Sequence, residues 1–318
     1  MKPASARTLL RIVLVVQAMG ALLVAWALWR RGLPAWAALL AGAGVVAFVR
    51  LAINMNNFVM AGWAASATPP AYRIGPGARL RMLAEEFCAS MLVTSWHVPR
   101  GRPHMTVYRD SDRVPVLLVH GYGCNSGYWA HLVPLLDRER ISHASIDLEP
   151  VAGSIDGYAP LIEARVRELC AATGAARIAI VAHSMGGLAA RAWMRSYGKP
   201  AYGKPGYGSA RVARLVTLGT PHHGTALARF GVGANAVQMR RDSAWLRDLA
   251  AAEGPEVRAR IVSLYTHHDN IVAPQDSCVL PGARNVAFGG IGHVALGSNP
   301  RVLAEVLRAL RELHAERA

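Results

Sequence analysis

The sequence has few charged residues and few cysteines, and each scarcity excludes a class of protein. Charged residues make up 17% of its 318 positions, whereas about 25% is usual for a soluble domain. Because 53% of the side chains are hydrophobic, the chain has enough apolar surface to bury, which excludes an intrinsically disordered protein. Its four cysteines include no C-x-x-C pair, which excludes a disulfide scaffold or a zinc ribbon.

Acidic residues are also absent from the first 84 positions, which carry nine basic residues. The formal net charge of +15 is therefore concentrated in the first quarter of the chain, beside its longest apolar runs. Basic residues beside long apolar runs are typical of a segment that binds a membrane surface rather than of one that binds a nucleic-acid groove. The rest of the sequence contains no nucleic-acid-binding motif, so we predict no nucleic-acid partner.

Two long apolar runs predict that residues 1–63 form a membrane anchor. Residues 12–29 contain a single polar side chain, Gln17, and a second run from 33 to about 53 follows a short basic turn. Eighteen helical residues cover about 27 Å, close to the thickness of the hydrocarbon layer. We expect a hairpin of two transmembrane helices, about 12–29 and 33–53. Four polar residues mark its exit: Arg50, Asn54, Asn56 and Asn57.

Two other interpretations of the N terminus stay open. A single retained helix is one, and a cleaved signal peptide with Ala25-Trp26-Ala27 as its cleavage site is the other. In a hairpin both ends lie on one side, and more basic residues flank those ends than occupy the turn. The positive-inside rule then predicts a multi-pass protein of the bacterial inner membrane whose C-terminal part faces the cytoplasm. Every candidate catalytic group lies beyond Val119, so we expect the anchor to be separable from the chemistry.

Residues 64–112 form a connector with proline- and glycine-rich breaks. Within it, residues 80–96 have the spacing of an amphipathic helix with Leu80, Leu83, Phe87 and Met91 on one side. This helix is expected either to lie on the bilayer or to pack on the following domain.

Residues 113–318 alternate between short apolar runs and helix-length segments. The predicted strands are 114–119, 143–148, 177–182, 213–218, 260–265 and 284–288, and the predicted helices are 128–136, 155–172, 186–197 and 300–313. Strands that are apolar along their whole length indicate a parallel sheet with helices on both faces, an α/β fold.

A candidate nucleophile lies at one of the predicted strand-to-helix turns. Ser184 stands in Ala182-His183-Ser184-Met185-Gly186, between the strand 177–182 and the helix 186–197. Small residues on both sides suit the tight turn of a nucleophile elbow. A serine hydroxyl needs a base held by a carboxylate, and in this arrangement acid and base follow the serine in the chain.

Asp269 and His293 are the candidate acid and base, because each follows a predicted strand and both come after Ser184. Asp147 and Asp156 are rival acids that precede Ser184, and Asp242 is a rival that follows no strand. Backbone N–H groups of Tyr122 and Met185 are the candidate oxyanion hole, since Val119-His120-Gly121-Tyr122-Gly123 ends the first strand.

Several other histidines have less specific positions. We expect His183 to be structural, whereas His222 and His223 follow a strand and are weaker candidates for lining the site. The run His267-His268-Asp269 lacks the spacing of helical metal ligands, so no metal site is predicted. A Gly-Tyr-rich segment at 197–209 is expected to be a surface loop or a flap. Residues 225–251 are apolar enough to cap an acyl site or to pack on the sheet.

Together these motifs resemble the α/β-hydrolase family, most closely small bacterial triacylglycerol lipases and esterases. The matching segments are VLLVHGYG, AHSMGG, TLGTPHHGT, the stretch S-L-Y-T-x-x-D-x-I-V, and GARNV followed by GIGH, within residues 115–298. The resemblance implies a serine hydrolase of carboxylic esters, with an ester or lipid substrate and no cofactor. An acyltransferase or thioesterase with the same triad, or a non-catalytic scaffold, remains an alternative.

Overall fold

The computed structural model describes residues 5–197 and 211–315. Two long helices come first, α1 (Ala6–Arg30) and α2 (Ala35–Trp63), and they pack against each other as a hairpin. Small residues form the contact between them, since Ala25, Ala38 and Gly42 are the buried positions of its middle section. Both helices are long and apolar enough to cross a membrane. The second one extends ten residues beyond the predicted end of its span, because the asparagines after Arg50 do not interrupt it.

The connector forms one broken helical rod between the hairpin and the rest of the protein. Its parts are α3 (Pro76–Leu92), a π-helical turn (Val93–His97) and α4 (Val98–Arg100), preceded by a short 3-10 turn (Pro70–Tyr72). A helix therefore overlaps the predicted segment 80–96, and it contacts the hairpin on one side and the C-terminal part of the chain on the other.

The remaining chain forms a seven-stranded sheet within the described residues, in the order β1-β3-β2-β4-β5-β6-β7. The edge strand β1 runs antiparallel to β3, and all other neighbours are parallel. The strands are β1 (Met105–Thr106), β2 (Val116–Val119), β3 (His143–Ile146), β4 (Ile178–His183), β5 (Val212–Leu218), β6 (Ile261–Thr266) and β7 (Arg284–Phe288). Sequence patterns predicted six of them to within a few residues, and β1 was missed because two residues carry no periodicity.

Helices cover both faces of this sheet, as predicted. They are α5 (Val133–Arg138), α6 (Ala159–Thr173), α7 (Met185–Tyr197), α8 (Ala234–Gln238), α9 (Ala244–Ala251), α10 (Pro255–Arg258) and α11 (Pro300–Ala315). Alternate residues of β2 enter opposite cores: Leu117 packs with α6 and α7, whereas Leu118 packs with α5 and α11. The predicted α/β fold is confirmed. Two of the predicted helices begin as 3-10 turns, Ser126–His131 and Asp156–Tyr158.

Candidate active site

Ser184 lies at the sharp turn between β4 and α7, where its backbone has a φ of 54°. A left-handed conformation is unfavourable for a non-glycine residue and persists where the surrounding structure enforces it. The Ser184 N–H donates to the Leu218 carbonyl at 2.8 Å, and the Thr220 hydroxyl donates to the Ser184 carbonyl at 2.9 Å. Glycine is needed at 186, because a Cβ there would collide with the carbonyl oxygen of His120. The turn therefore has the geometry of a nucleophile elbow.

Asp269 and His293 form a buried pair next to this turn. The Nδ1 atom of His293 is 2.8 Å from Oδ2 of Asp269, and both side chains are nearly inaccessible to solvent. The other carboxylate oxygen, Oδ1, accepts the N–H groups of Ile271 and Val272 at 2.8 and 2.7 Å. This arrangement fixes the carboxylate, which favours the imidazole tautomer with its proton on Nδ1.

The electrostatic balance at His293 favours its charged form. Burial by itself lowers the pKa of His293, but the charge of Asp269, the hydrogen bond to it and the charge of Glu86 outweigh burial, so the pKa lies above its ordinary value of 6.5. The pair also lies close to the end of β5. A Cβ at Gly219, which has a φ of 57°, would lie 3.1 Å from Nδ1 of His293 and 3.2 Å from Oδ2 of Asp269.

Two neighbouring histidines are neutral structural groups. His120 accepts the Leu148 N–H on Nε2 at 2.8 Å, so its proton is on Nδ1, which faces the Gly121 carbonyl at 2.8 Å. Burial lowers the pKa of His120 and of His183. The His183 ring stacks on Tyr128 with centroids 4.0 Å apart and lies 4.6 Å from the His293 ring. The expectation that His183 is structural agrees with this packing.

The candidate oxyanion donors come from two different segments of the chain, the start of α7 and the loop after β2. Met185 is the first residue of α7, and N–H groups in the first turn of a helix have no acceptor within the helix. Tyr122 follows the end of β2, and its side chain reaches Val232: its hydroxyl donates to the Val232 carbonyl at 2.8 Å and accepts the Val232 N–H at 3.1 Å. The same residue thus connects the loop after β2 to the segment around Val232.

Ser184 opens onto a cavity of about 500 Å³, a size in the usual range for small-molecule sites. Its walls are mainly apolar, and many of the lining residues lie between Thr225 and Met239, within the segment 225–251 that the sequence offers as a cap or as packing on the sheet. The lining side chains include Leu227, Ala228, Phe230, Ala236, Met239 and Val272. Asn56, Asn57 and Met60 of α2 also line it. Three residues of the predicted anchor therefore line the cavity, a contact that the sequence did not predict.

The model of the alpha/beta hydrolase fold family matches residues 114–273, half of the chain. The chain belongs to the α/β-hydrolase family. The mature lipase BlEst2 of Bacillus licheniformis is similar in structure, with a TM-score of 0.56 and 17% identity over 66% of this chain and 98% of that one. Lipase B of Aspergillus fumigatus has a TM-score of 0.55 at 17% identity, over 66% of this chain and 55% of its own. At such identities the likeness shows the fold.

The rival carboxylates of this hydrolase have other partners. Asp147 accepts the N–H of Ser126 at 2.8 Å and its hydroxyl at 2.5 Å, which caps a 3-10 turn. Asp156 bonds the side chains of Arg195 and Trp245 at 2.6 Å each. Asp242 is an exposed turn residue with a φ of 52°. Among the three rivals, none reaches His293.

The remaining sequence candidates of the hydrolase lie outside the cavity. His222 is buried against Arg191, whose Nη1 donates to His222 Nδ1 at 3.1 Å, and Arg191 also pairs with Glu253. His268 Nδ1 accepts the Gly290 N–H, whereas His267 packs on Tyr72. In the described part of the chain, no cluster of potential metal ligands is found. The predicted loop or flap at 197–209 lies, except for its first residue, outside the described residues.

Two residues that support His293 were missed from the sequence. Glu86 of α3 is fully buried, and its two carboxylate oxygens accept the N–H groups of Val294 and Ala295 at 3.0 and 2.9 Å. Burial raises the pKa of this carboxyl group, although the two hydrogen bonds oppose that effect. The Asn270 side chain accepts the His293 N–H at 2.9 Å. One signal was present in the sequence, since Glu86 interrupts an otherwise apolar stripe at helical spacing that begins at Met82.

Proposed function

We propose that this protein is a membrane-anchored serine hydrolase of carboxylic esters, with Ser184 as nucleophile, His293 as general base and Asp269 as the acid of the triad. The observation that carries the proposal is the buried Asp269–His293 pair beside an elbow serine that opens onto an apolar cavity. A buried carboxylate that holds an imidazole near a strained serine is the arrangement that activates a hydroxyl for acyl transfer.

In the proposed mechanism, the Ser184 hydroxyl attacks the ester carbonyl while His293 Nε2 takes its proton. The negative charge that develops on the carbonyl oxygen is stabilised by the N–H groups of Tyr122 and Met185, each of which contributes about 3–4 kcal/mol in comparable enzymes. His293 then returns the proton to the leaving alcohol. Water, deprotonated by the same imidazole, hydrolyses the acyl-enzyme and regenerates the Ser184 hydroxyl. The chemistry requires no cofactor and no metal.

Membrane anchoring is the second part of the proposal. The hairpin exposes large apolar side chains along both helices, among them Leu22, Trp26, Trp36 and Phe48. Soluble monomers do not tolerate apolar patches of this extent. Small residues at the contact between the two helices also favour packing within a bilayer.

A fluorophosphonate ester probe tests the proposed nucleophile. We expect the full-length protein to be labelled covalently, because the probe reacts with an activated serine, and Ser184→Ala to abolish labelling without a change in its thermal unfolding. Absence of labelling in the wild-type protein, while a known serine hydrolase reacts in parallel, would favour the non-catalytic scaffold. Product analysis with and without an added alcohol acceptor separates a hydrolase from an acyltransferase.

A further inference from the structure

The second helix of the hairpin is part of the cavity wall. Asn56, Asn57 and Met60 line the same cavity as Ser184, and α2 contacts the 3-10 turn Ala226–Phe230, which also lines the cavity. A helix that served only as a membrane anchor would not be expected to line the substrate cavity. Here an acyl chain in the cavity would touch α2 directly.

The rim of the cavity is apolar and exposed next to this helix. Phe230, Val232 and Val237 are each more than half exposed, at 58%, 73% and 52%. On α2, close in sequence to the cavity-lining Met60, Val59 and Trp63 are exposed by 51% and 74%. The apolar surface of the hairpin therefore continues to the mouth of the cavity. Large apolar side chains that are exposed together mark a surface that contacts another molecule or a membrane.

The length of α2 places this mouth at the boundary of a bilayer. If the hydrocarbon layer begins at Ala35, its far edge lies about 30 Å away, and the headgroup layer extends about 5–8 Å beyond it. At 1.5 Å per residue, Asn56 lies about 32 Å and Met60 about 38 Å along the helix. The ester groups of bilayer lipids lie between their acyl chains and headgroups, at the same depth as Asn56 and Met60.

The connector agrees with this placement. Arg50, about 22 Å along the helix from Ala35, is paired within the protein: its guanidinium donates to Gln17 Oε1 at 2.5 Å and to Ser95 Oγ at 2.7 Å. Near Ser95, the side chains of Leu92 and Trp96 are exposed by 42% and 54%. An interfacial helix typically buries its apolar face about 5–10 Å into the membrane. The distance along α2 between Arg50 and the far edge of the hydrocarbon layer falls within this range.

We infer that the substrate is a long-chain acyl ester resident in the same bilayer, and that its chain enters the cavity sideways between α2 and the Ala226–Phe230 turn. This inference rests on the proposed ester hydrolysis at Ser184. It adds that α2 determines which acyl chain fits, with Met60 as the residue of the membrane helix in contact with it.

Variants of α2 in the full-length protein, reconstituted in phosphatidylcholine vesicles, test the contact. The measured quantity is the ratio of hydrolysis rates for 4-methylumbelliferyl palmitate and acetate. Met60→Trp fills the cavity, and we expect the ratio to fall about tenfold or more, since the burial of about two methylene groups is lost. Met60→Ala makes room and should shift the preference to longer chains. Leu40→Trp, on the exposed surface of the same helix and far from the cavity, should leave the ratio at the wild-type value.

The route of access is tested with a self-quenched fluorogenic diacyl glycerolipid. We expect rapid hydrolysis when this lipid is in the same vesicles as the enzyme and little when it is in separate vesicles. Equal rates from both, no hydrolysis of the lipid by an enzyme that cleaves the acetate ester, or equal effects of the substitutions at 40 and 60 would overturn the inference. Failure of the wild-type protein to cleave even the acetate ester would instead reject the proposed function.

Discussion

At the scale of single residues, the buried Asp269 carboxylate is held from two directions. Its Oδ1 atom accepts two backbone N–H groups, from Ile271 and Val272, and its Oδ2 atom faces His293. The two oxygens therefore have different partners, and only one of them accepts from the imidazole. This asymmetry determines how the amide of an asparagine at position 269 would be oriented.

We expect Asp269→Asn to fold normally and to lose on the order of 10⁴ in turnover. The amide oxygen must replace Oδ1, where two N–H groups need an acceptor, so the amide NH₂ faces His293 Nδ1. That nitrogen must then accept, and the proton moves to Nε2, which can no longer take one from Ser184. Steady-state hydrolysis of a p-nitrophenyl ester measures the loss.

The matched control for this substitution is Asp242→Asn. Asp242 is exposed, has no contact with His293 and has a φ of 52°, a conformation that asparagine tolerates. It should retain wild-type turnover. A nearly full-rate Asp269→Asn protein, with the change at Asp242 inactive instead, would assign the acid to the other residue.

At the scale of elements, α3 connects the hairpin to the loop of His293. The Glu86 carboxylate bonds the backbone directly after His293, and a Cβ at Gly292 would be 2.5 Å from that carboxylate. On the other side, the Arg50 guanidinium of α2 donates to Thr94 and Ser95, just after the end of α3. The connector is therefore a structural part of the site rather than a passive link.

We expect Glu86→Gln to move the acidic limb of the pH–activity profile to lower pH. His293 must be neutral to act as a base, so activity falls as pH decreases through its pKa. The charge of Glu86 is one of the causes that raise this pKa, and its removal lowers the pKa. The profile of kcat/KM against pH measures the limb, because it reports the free enzyme.

Glu86→Gln should also destabilise the fold by about 1–3 kcal/mol, because an amide NH₂ cannot accept one of the two buried N–H groups. Glu85→Gln is the control, since Glu85 is the exposed neighbour on the same helix, and it should change neither quantity. A loss of stability without any displacement of the acidic limb would leave Glu86 with a structural role alone.

At the scale of the whole molecule, the hairpin, the connector and the sheet place one end of the cavity beside the apolar helices. In the proposed transmembrane arrangement both ends of the hairpin lie on the same side of the membrane, so the turn and the C-terminal domain are expected on opposite sides. The chain's own cysteines help to test this arrangement. Cys88 on α3 is exposed, whereas burial raises the pKa of Cys124 to about 12, which disfavours its nucleophilic thiolate form.

We expect the protein to remain with membranes after carbonate extraction, because both apolar helices lose exposed surface only in a bilayer. In Leu33→Cys, a membrane-impermeant maleimide should label the turn in intact cells, and Cys88 should react only after the cells are opened. The reverse order would place the enzyme domain in the periplasm. A mature N terminus after Ala27 would show cleavage and exclude the hairpin.

The local features of this protein were determined by its sequence. Strands buried on both faces, the elbow around Ser184 and the two apolar runs depend on neighbouring residues and on periodicity, so they could be predicted. The candidate acid and base could be proposed from chain order, and the structure brings Asp269 rather than Asp147 or Asp242 next to His293. The β1 strand and the full extent of α2 could not be predicted, because their ends depend on contacts with other segments.

Only the tertiary structure decided which distant segments share the site. Glu86 lies more than two hundred positions before Val294, yet its carboxylate accepts the Val294 N–H in the His293 loop. Met60 lies far from Ser184 in sequence, yet both residues line the same cavity. No local sequence pattern predicts these long-range contacts, because they depend on how the hairpin and the connector pack on the folded sheet. The sequence determined that the chain could carry a serine hydrolase and two apolar helices. Their packing decided that an apolar helix forms a wall of the cavity.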